Sequence, residues 1–180
     1  AVFTAALESA AFVVDDPRRL IDIGLSYIPQ ECGTAAAIRC AVECRESGMD
    51  WQDARERILR EHRGSAHGGN PGNVSDADRE KGFDKGVLGY DAPSNIAILV
   101  FGLLYGNGDF DTMLCTTVNC GEDTDCTGAT VGAIYGIMHG FDSIPERWID
   151  PIGHGIQTIS INCGDLSGGN VGASLVSGRL

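Results

Sequence analysis

The stretch Asn119-Cys120-Gly121-Glu122-Asp123-Thr124-Asp125 runs directly into Cys126-Thr-Gly-Ala-Thr-Val-Gly-Ala-Ile-Tyr-Gly-Ile-Met-His-Gly140, a run of small and apolar residues that reads as a helix. Two carboxylates two residues apart at the mouth of a helix suit a hard cation, because Mg²⁺, Mn²⁺ and Ca²⁺ all prefer oxygen ligands. Asp is also a good N-cap, its oxygen accepting a backbone N–H of the first turn. The residues alone therefore leave two readings open: Asp123 and Asp125 hold a metal, or one caps the helix and the other is solvated. Gly128, Gly132 and Gly136 recur at i,i+4 inside this helix. Glycine costs about 1 kcal/mol against alanine there, so the stripe predicts a closely approaching backbone and a central, buried helix. A membrane-dimer reading of Gly-x-x-x-Gly is excluded by the flanking Asp123, Asp125 and His139.

Working outward, apolar residues recur at helical spacing almost throughout. Residues 1–14 read as a helix. Asp16-Pro17 opens another, an N-cap followed by proline at the first helical position, with Leu20, Ile23, Gly24 and Tyr27 on one side. Thr34 is the expected cap of a helix burying Ala37, Ile38, Ala41 and Val42, with Gly48 as its stop. Asp50 caps the next, which turns Trp51, Ala54, Ile58 and Leu59 inward and its Arg and Glu residues outward, Glu56 and Arg60 forming an i,i+4 pair. Residues 94–105 are an apolar helix too short to span a bilayer, hence a buried one. Asp109 caps a helix over 110–118 that delivers the chain to the Asp-x-Asp loop. Residues 64–91 are turn-rich and read as a long loop, in which His67 is a candidate to face a substrate. Beyond Pro151 the pattern changes: Ile156-Gln-Thr-Ile-Ser-Ile alternates like a strand and 164–178 is rich in Gly and Ser. The expected fold class is all-α, an orthogonal multi-helix bundle over 1–150, with a short β or irregular tail over 151–180 that serves as tail or as the start of a second region.

Of the 180 residues, 43% are hydrophobic and 21% charged, ordinary for a globular chain. The net charge of −12 excludes nucleic acid and anionic membranes as expected partners, since affinity for phosphate backbones rests on Lys and Arg. A pyrophosphate ligand remains compatible, because a divalent cation and helix N-termini supply local positive potential. The seven cysteines contain no Cys-x-x-Cys, and no His pair lies at zinc spacing, so no structural zinc site is expected. Their odd number suits reduced thiols and a cytoplasmic location. Cys40 and Cys44 share a helix face and read as small core residues.

Asn-Cys-Gly-Glu-Asp-Thr-Asp-Cys followed by Gly-Ala-Thr-Val-Gly-Ala-Ile-Tyr-Gly resembles the carboxy-terminal metal motif of the ADP-ribosylglycohydrolase family, Gly-x-Asp-Thr-Asp ahead of an Ala/Gly-rich helix. Ala11-Phe-Val-Val-Asp-Asp-Pro17, Ile23–Pro29 and Asn95–Phe110 look like that family too, so the resemblance covers most of residues 1 to about 150. It implies an all-α fold with a two-metal centre of Mg²⁺ or Mn²⁺, and hydrolysis of the glycosidic bond between ADP-ribose and a protein side chain or small molecule. By position Asp123 and Asp125 match the family's metal ligands; Gly121, Asn119 and Asn95 are the candidate substrate contacts, a structural hydrogen bond to a turn or helix end being the other reading of each Asn. Many members carry Thr next; here it is Cys126, so either Thr124 or Thr127 supplies the hydroxyl or the second metal site is altered. The family's amino-terminal Thr-Asp-Asp motif has no counterpart, Asp15-Asp16 reading as a helix cap. The expectation is that residues 1–150 are the carboxy-terminal part of a longer catalytic domain, whose amino-terminal half is a required partner and carries the general base. Alternatives are a hydrolase of another ribosyl or N-glycosidic substrate, and a non-catalytic ADP-ribose binder.

Overall fold

In the structure, a computed structural model, residues 1–63, 76–80 and 89–153 are described. They form helices α1 (Val2–Ala11), α2 (Pro17–Ser26), α3 (Gly33–Glu46), α4 (Trp51–His62), α5 (Asp76–Glu80), α6 (Ala92–Tyr105), α7 (Phe110–Asn119), α8 (Thr124–His139) and α9 (Glu146–Ile149), with a 3-10 turn at Phe141–Ser143 between the last two. No strand occurs among the described residues, so the all-α expectation holds there. His67 and the tail from 154 onward lie outside them. Within the expected 64–91 loop, Asp76–Glu80 is helical; five residues are too few to carry a readable periodicity.

Caps set most boundaries. The Asp16 carboxylate accepts from the N–H groups of Arg18 and Arg19 ahead of Pro17, Asp50 from Asp53 and Asp109 from Thr112. Each satisfies an orphan donor of a first turn. At α3 the cap is Cys32, not Thr34: its sulfur accepts from the Ala35 N–H at 3.4 Å, and Thr34 lies inside the helix. Gly48, at φ +76°, ends α3 as expected, with the Met49 N–H returning to the Cys44 carbonyl.

Helix α6 is the centre of the bundle and packs on α2, α3, α4, α7 and α8. Its residues from Ala97 to Leu103 are all buried, and each such Leu, Ile or Phe contributes about 1.5–3 kcal/mol by leaving water. Phe101 meets Tyr105 edge to face at 5.7 Å, and the Tyr105 hydroxyl donates to the Met49 carbonyl. In α2 the buried set is Leu20, Ile21 and Gly24, while Tyr27 is 66% exposed; the inward stripe is rotated by one residue from the expected one.

The small-residue contact also lies elsewhere than expected. A Cβ on Gly132 would meet nothing within 4 Å, and one on Gly136 only Ile144 at 3.9 Å. Gly128 alone of the three is crowded, by the Val118 side chain at 3.2 Å. Helix α8 buries one face, Thr127, Gly128, Val131 and Ile134, and α6 is the central helix instead. Tight approaches occur instead at Gly24, Gly106 and Gly102, where a Cβ on the last would stand 2.0 Å from Thr117 Oγ1. The Thr117 hydroxyl is fixed by donating to the Met113 carbonyl at 2.8 Å. Gly102→Ala is therefore expected to destabilise by about 1–3 kcal/mol through overpacking, read as a lower urea midpoint; an unchanged midpoint would mean α6 and α7 can separate freely.

Candidate metal centre

Helix α7 ends at Asn119, and the Cys120 N–H closes it onto the Thr116 and Thr117 carbonyls. The chain then reverses through two successive left-handed residues, Gly121 at φ +77° and Glu122 at φ +63°. Glycine takes this conformation freely, whereas Glu122 bears a cost of about 1–2 kcal/mol. The Glu122 carboxylate is held in return. It forms an ion pair with Arg63, the side chains being 3% and 2% exposed, and accepts the Gly89 N–H at 3.1 Å.

Two further side chains reach the same loop. Arg55 donates through Nε to the Cys120 carbonyl. Asn95 donates through Nδ2 to the carbonyls of Gly89 at 3.1 Å and Asp91 at 3.0 Å, while its Oδ1 accepts the Asp123 N–H at 3.1 Å. Asn95 thus spends its amide on backbone and fastens the loop, the structural hydrogen bond that is one of its two expected roles. Asn95→Ala removes three hydrogen bonds from half-buried groups and is expected to cost about 1–3 kcal/mol, measurable by urea unfolding; a wild-type midpoint would show that the loop holds without it. Arg55, Arg63 and Glu122 escaped the sequence reading, which turned the charged side chains of α4 to solvent.

Asp123 precedes α8 in the N-cap position, yet its side chain makes no capping hydrogen bond. The cap reading therefore fails for Asp123. One ligand atom each from Asp123, Asp125 and Cys126 lie within 4.8 Å of one another. The Asp125 carboxyl is held below the usual carboxylate range, first by its hydrogen bond with the Asp123 side chain, then by its own and the Cys126 backbone N–H. A cation between the two carboxylates would relieve their mutual repulsion. The Cys126 thiol is shifted upward, chiefly by its hydrogen bond to Asp123 and by that charge. It stays protonated and donates to Asp123, as a hydroxyl would, and a thiol is a poor Mg²⁺ ligand. The Thr127 hydroxyl is turned back onto the Asp123 carbonyl at 2.9 Å. The donor set thus fits one side of a hard-cation site: two carboxylate oxygens at a helix N-terminus, with room for water.

Asp123 and Asn95 line a cleft of about 350 Å³ together with Ile28, Pro29, Tyr90 and Ile96. Asn119 is exposed, two residues before Gly121. Arg55 approaches Gly121, its Nη2 lying 3.6 Å from where a Cβ would stand.

Helices packed about a buried α6, with a carboxylate pair fastened at the mouth of α8 beside a cleft, define an all-α protein with a candidate hard-cation site. The chain belongs to the ADP-ribosylglycohydrolase family, whose model matches residues 1–170. It is also similar to an uncharacterized protein of Archaeoglobus fulgidus, 31% identical over 126 residues that make up 66% of this chain and 39% of that protein. The chain thus spans about two fifths of the length of that relative. No solved structure matches it. No described helix is long and apolar enough to cross a membrane, and the six described cysteines are free thiols.

Proposed function

We propose that the protein is a metal-dependent hydrolase cleaving the glycosidic bond between ADP-ribose and an acceptor, with Asp123 and Asp125 supplying one half of a Mg²⁺ or Mn²⁺ centre in the cytoplasm. The observation that carries this reading is the Asp123 carboxylate, left out of helix capping, near Asp125 and lining the cleft. Family membership supports the substrate class. A volume of about 350 Å³ lies within the usual range of small-ligand sites. When bound, a divalent cation supplies a Lewis acid that orients ribose hydroxyls and a water. The chain's own residues do the holding. Asn95 fixes the Asp123 backbone, Gly121 lets the loop run close to a ligand, and the Glu122–Arg63 pair keeps the reversal in place. Calorimetric titration of ADP-ribose with and without Mg²⁺ tests the reading in the full-length protein. Mg²⁺-dependent binding supports it; binding indifferent to Mg²⁺ would leave a non-catalytic ADP-ribose binder as the better description.

A further inference from the structure

A second cluster of ligand atoms lies away from the Asp123–Asp125 loop, where α3 and α4 run side by side. Cys40 Sγ, a Glu61 carboxylate oxygen and a His62 imidazole nitrogen lie within 4.8 Å of one another. Cys40 is 5% exposed, His62 is half-buried and Glu61 exposed, so the group opens from the core to the surface. We propose that Cys40, Glu61 and His62 form a binding site for a borderline-soft divalent cation, Zn²⁺ in particular, with a fourth position open to water.

The donor set selects the ion. Thiolate and imidazole suit Zn²⁺ and disfavour Mg²⁺ or Ca²⁺, which take oxygen. One thiolate and one carboxylate also neutralise a doubly charged ion, as a partly buried site requires. On binding, the Cys40 S–H bond breaks, a Zn–S bond forms and the proton leaves to solvent. Burial pushes the free Cys40 thiol up to about 12 and holds the His62 imidazole below its ordinary value.

Guanidinium groups compete with the ion for Glu61. The Cys44 thiol, one turn along α3, receives Arg57 Nη1 at 3.8 Å. Arg57 also pairs with Glu43 at 3.1 Å and Glu61 at 3.3 Å, and Arg60 with Glu61 at 3.5 Å. When Glu61 turns to the metal, Arg57 keeps Glu43. The sequence hides the site because 21 and 22 residues separate Cys40 from Glu61 and His62 and no spacing rule links them.

The test is titration of the full-length protein with Co²⁺, then displacement by Zn²⁺. A thiolate-to-cobalt charge-transfer band in the near ultraviolet that Zn²⁺ removes is expected. Cys40→Ser and His62→Gln should each weaken Zn²⁺ binding at least about 100-fold, beyond what loss of an outer partner of a ligand costs. Cys126→Ser should leave the band intact, which separates this site from the Asp123 cluster. Should Cys40→Ser melt early, the half-buried His62→Gln decides. A band that persists in His62→Gln or disappears in Cys126→Ser, or no band at all, overturns the proposal.

Discussion

Asp125→Ala is expected to abolish the Mg²⁺ dependence of ADP-ribose binding and to lower hydrolysis by at least about 10²-fold, the scale on which loss of one positioned electrostatic group is felt. The change should leave the melting midpoint in place, because Asp125 is an exposed first-turn residue outside the core. Asp125→Asn sharpens the test. The amide oxygen still accepts the backbone N–H groups of residues 125 and 126 that the carboxylate accepts now, but the charge that draws a cation is gone. If both variants lose Mg²⁺ dependence, charge is what matters, and the pair acts as a ligand set. If Asp125→Asn binds and turns over like the wild type, the acidic pair is reduced to helix-end chemistry and the proposed function fails with it. Asp123→Ala should match Asp125→Ala, since the Asp123 side chain caps nothing in α8.

What the sequence revealed was what neighbours along the chain decide. Asp16-Pro17, Asp50 and Asp109 announce helix starts because a cap is a contact over two or three residues. The apolar run of α6 announces burial because no polar face interrupts it. Cys32 was not legible as a cap, since sulfur is a weak acceptor and cysteine is absent from the usual capping residues. The glycine stripe of α8 misled for a related reason. Spacing shows that glycines share a face but not whether anything stands opposite, and nothing stands opposite Gly132. One glycine closed to a Cβ, Gly102, is hidden in an apolar run and declares itself only when Thr117 arrives from α7. In the site, Asp123 and Asp125 were readable as a pair, but their supports were not: Asn95 acts across 28 residues and Arg63 across 59. The side chains that hold the loop come from helices whose order in space no local pattern encodes.

Breaking the Arg63–Glu122 pair is expected to have the largest effect on stability of any single change in the loop. Both side chains are at least 97% removed from solvent, so Arg63→Met leaves the Glu122 carboxylate buried without this ion pair, at a cost of about 3–5 kcal/mol, and Glu122→Ala removes both the ion pair and the acceptor of the Gly89 N–H. Glu122→Gly separates two contributions that Glu122→Ala combines. It loses the same carboxylate but relieves the left-handed backbone at φ +63°, so it should be less damaging by about 1–2 kcal/mol. The double variant Arg63→Met/Glu122→Gly removes both charges and should be more stable than Arg63→Met, since two apolar or absent groups cost less than one stranded ion. A double-mutant cycle in urea measures each step. Single variants within about 0.5 kcal/mol of wild type would mean that water reaches the pair, and the fastening of the loop would have to rest on Asn95 and Arg55. The order of effects also bears on the site. Glu122 sits between Gly121 and Asp123, so a loop freed at Glu122 loses the register of Asp123 against Asp125. Metal-dependent binding should therefore fall in Glu122→Ala although neither proposed ligand has been touched.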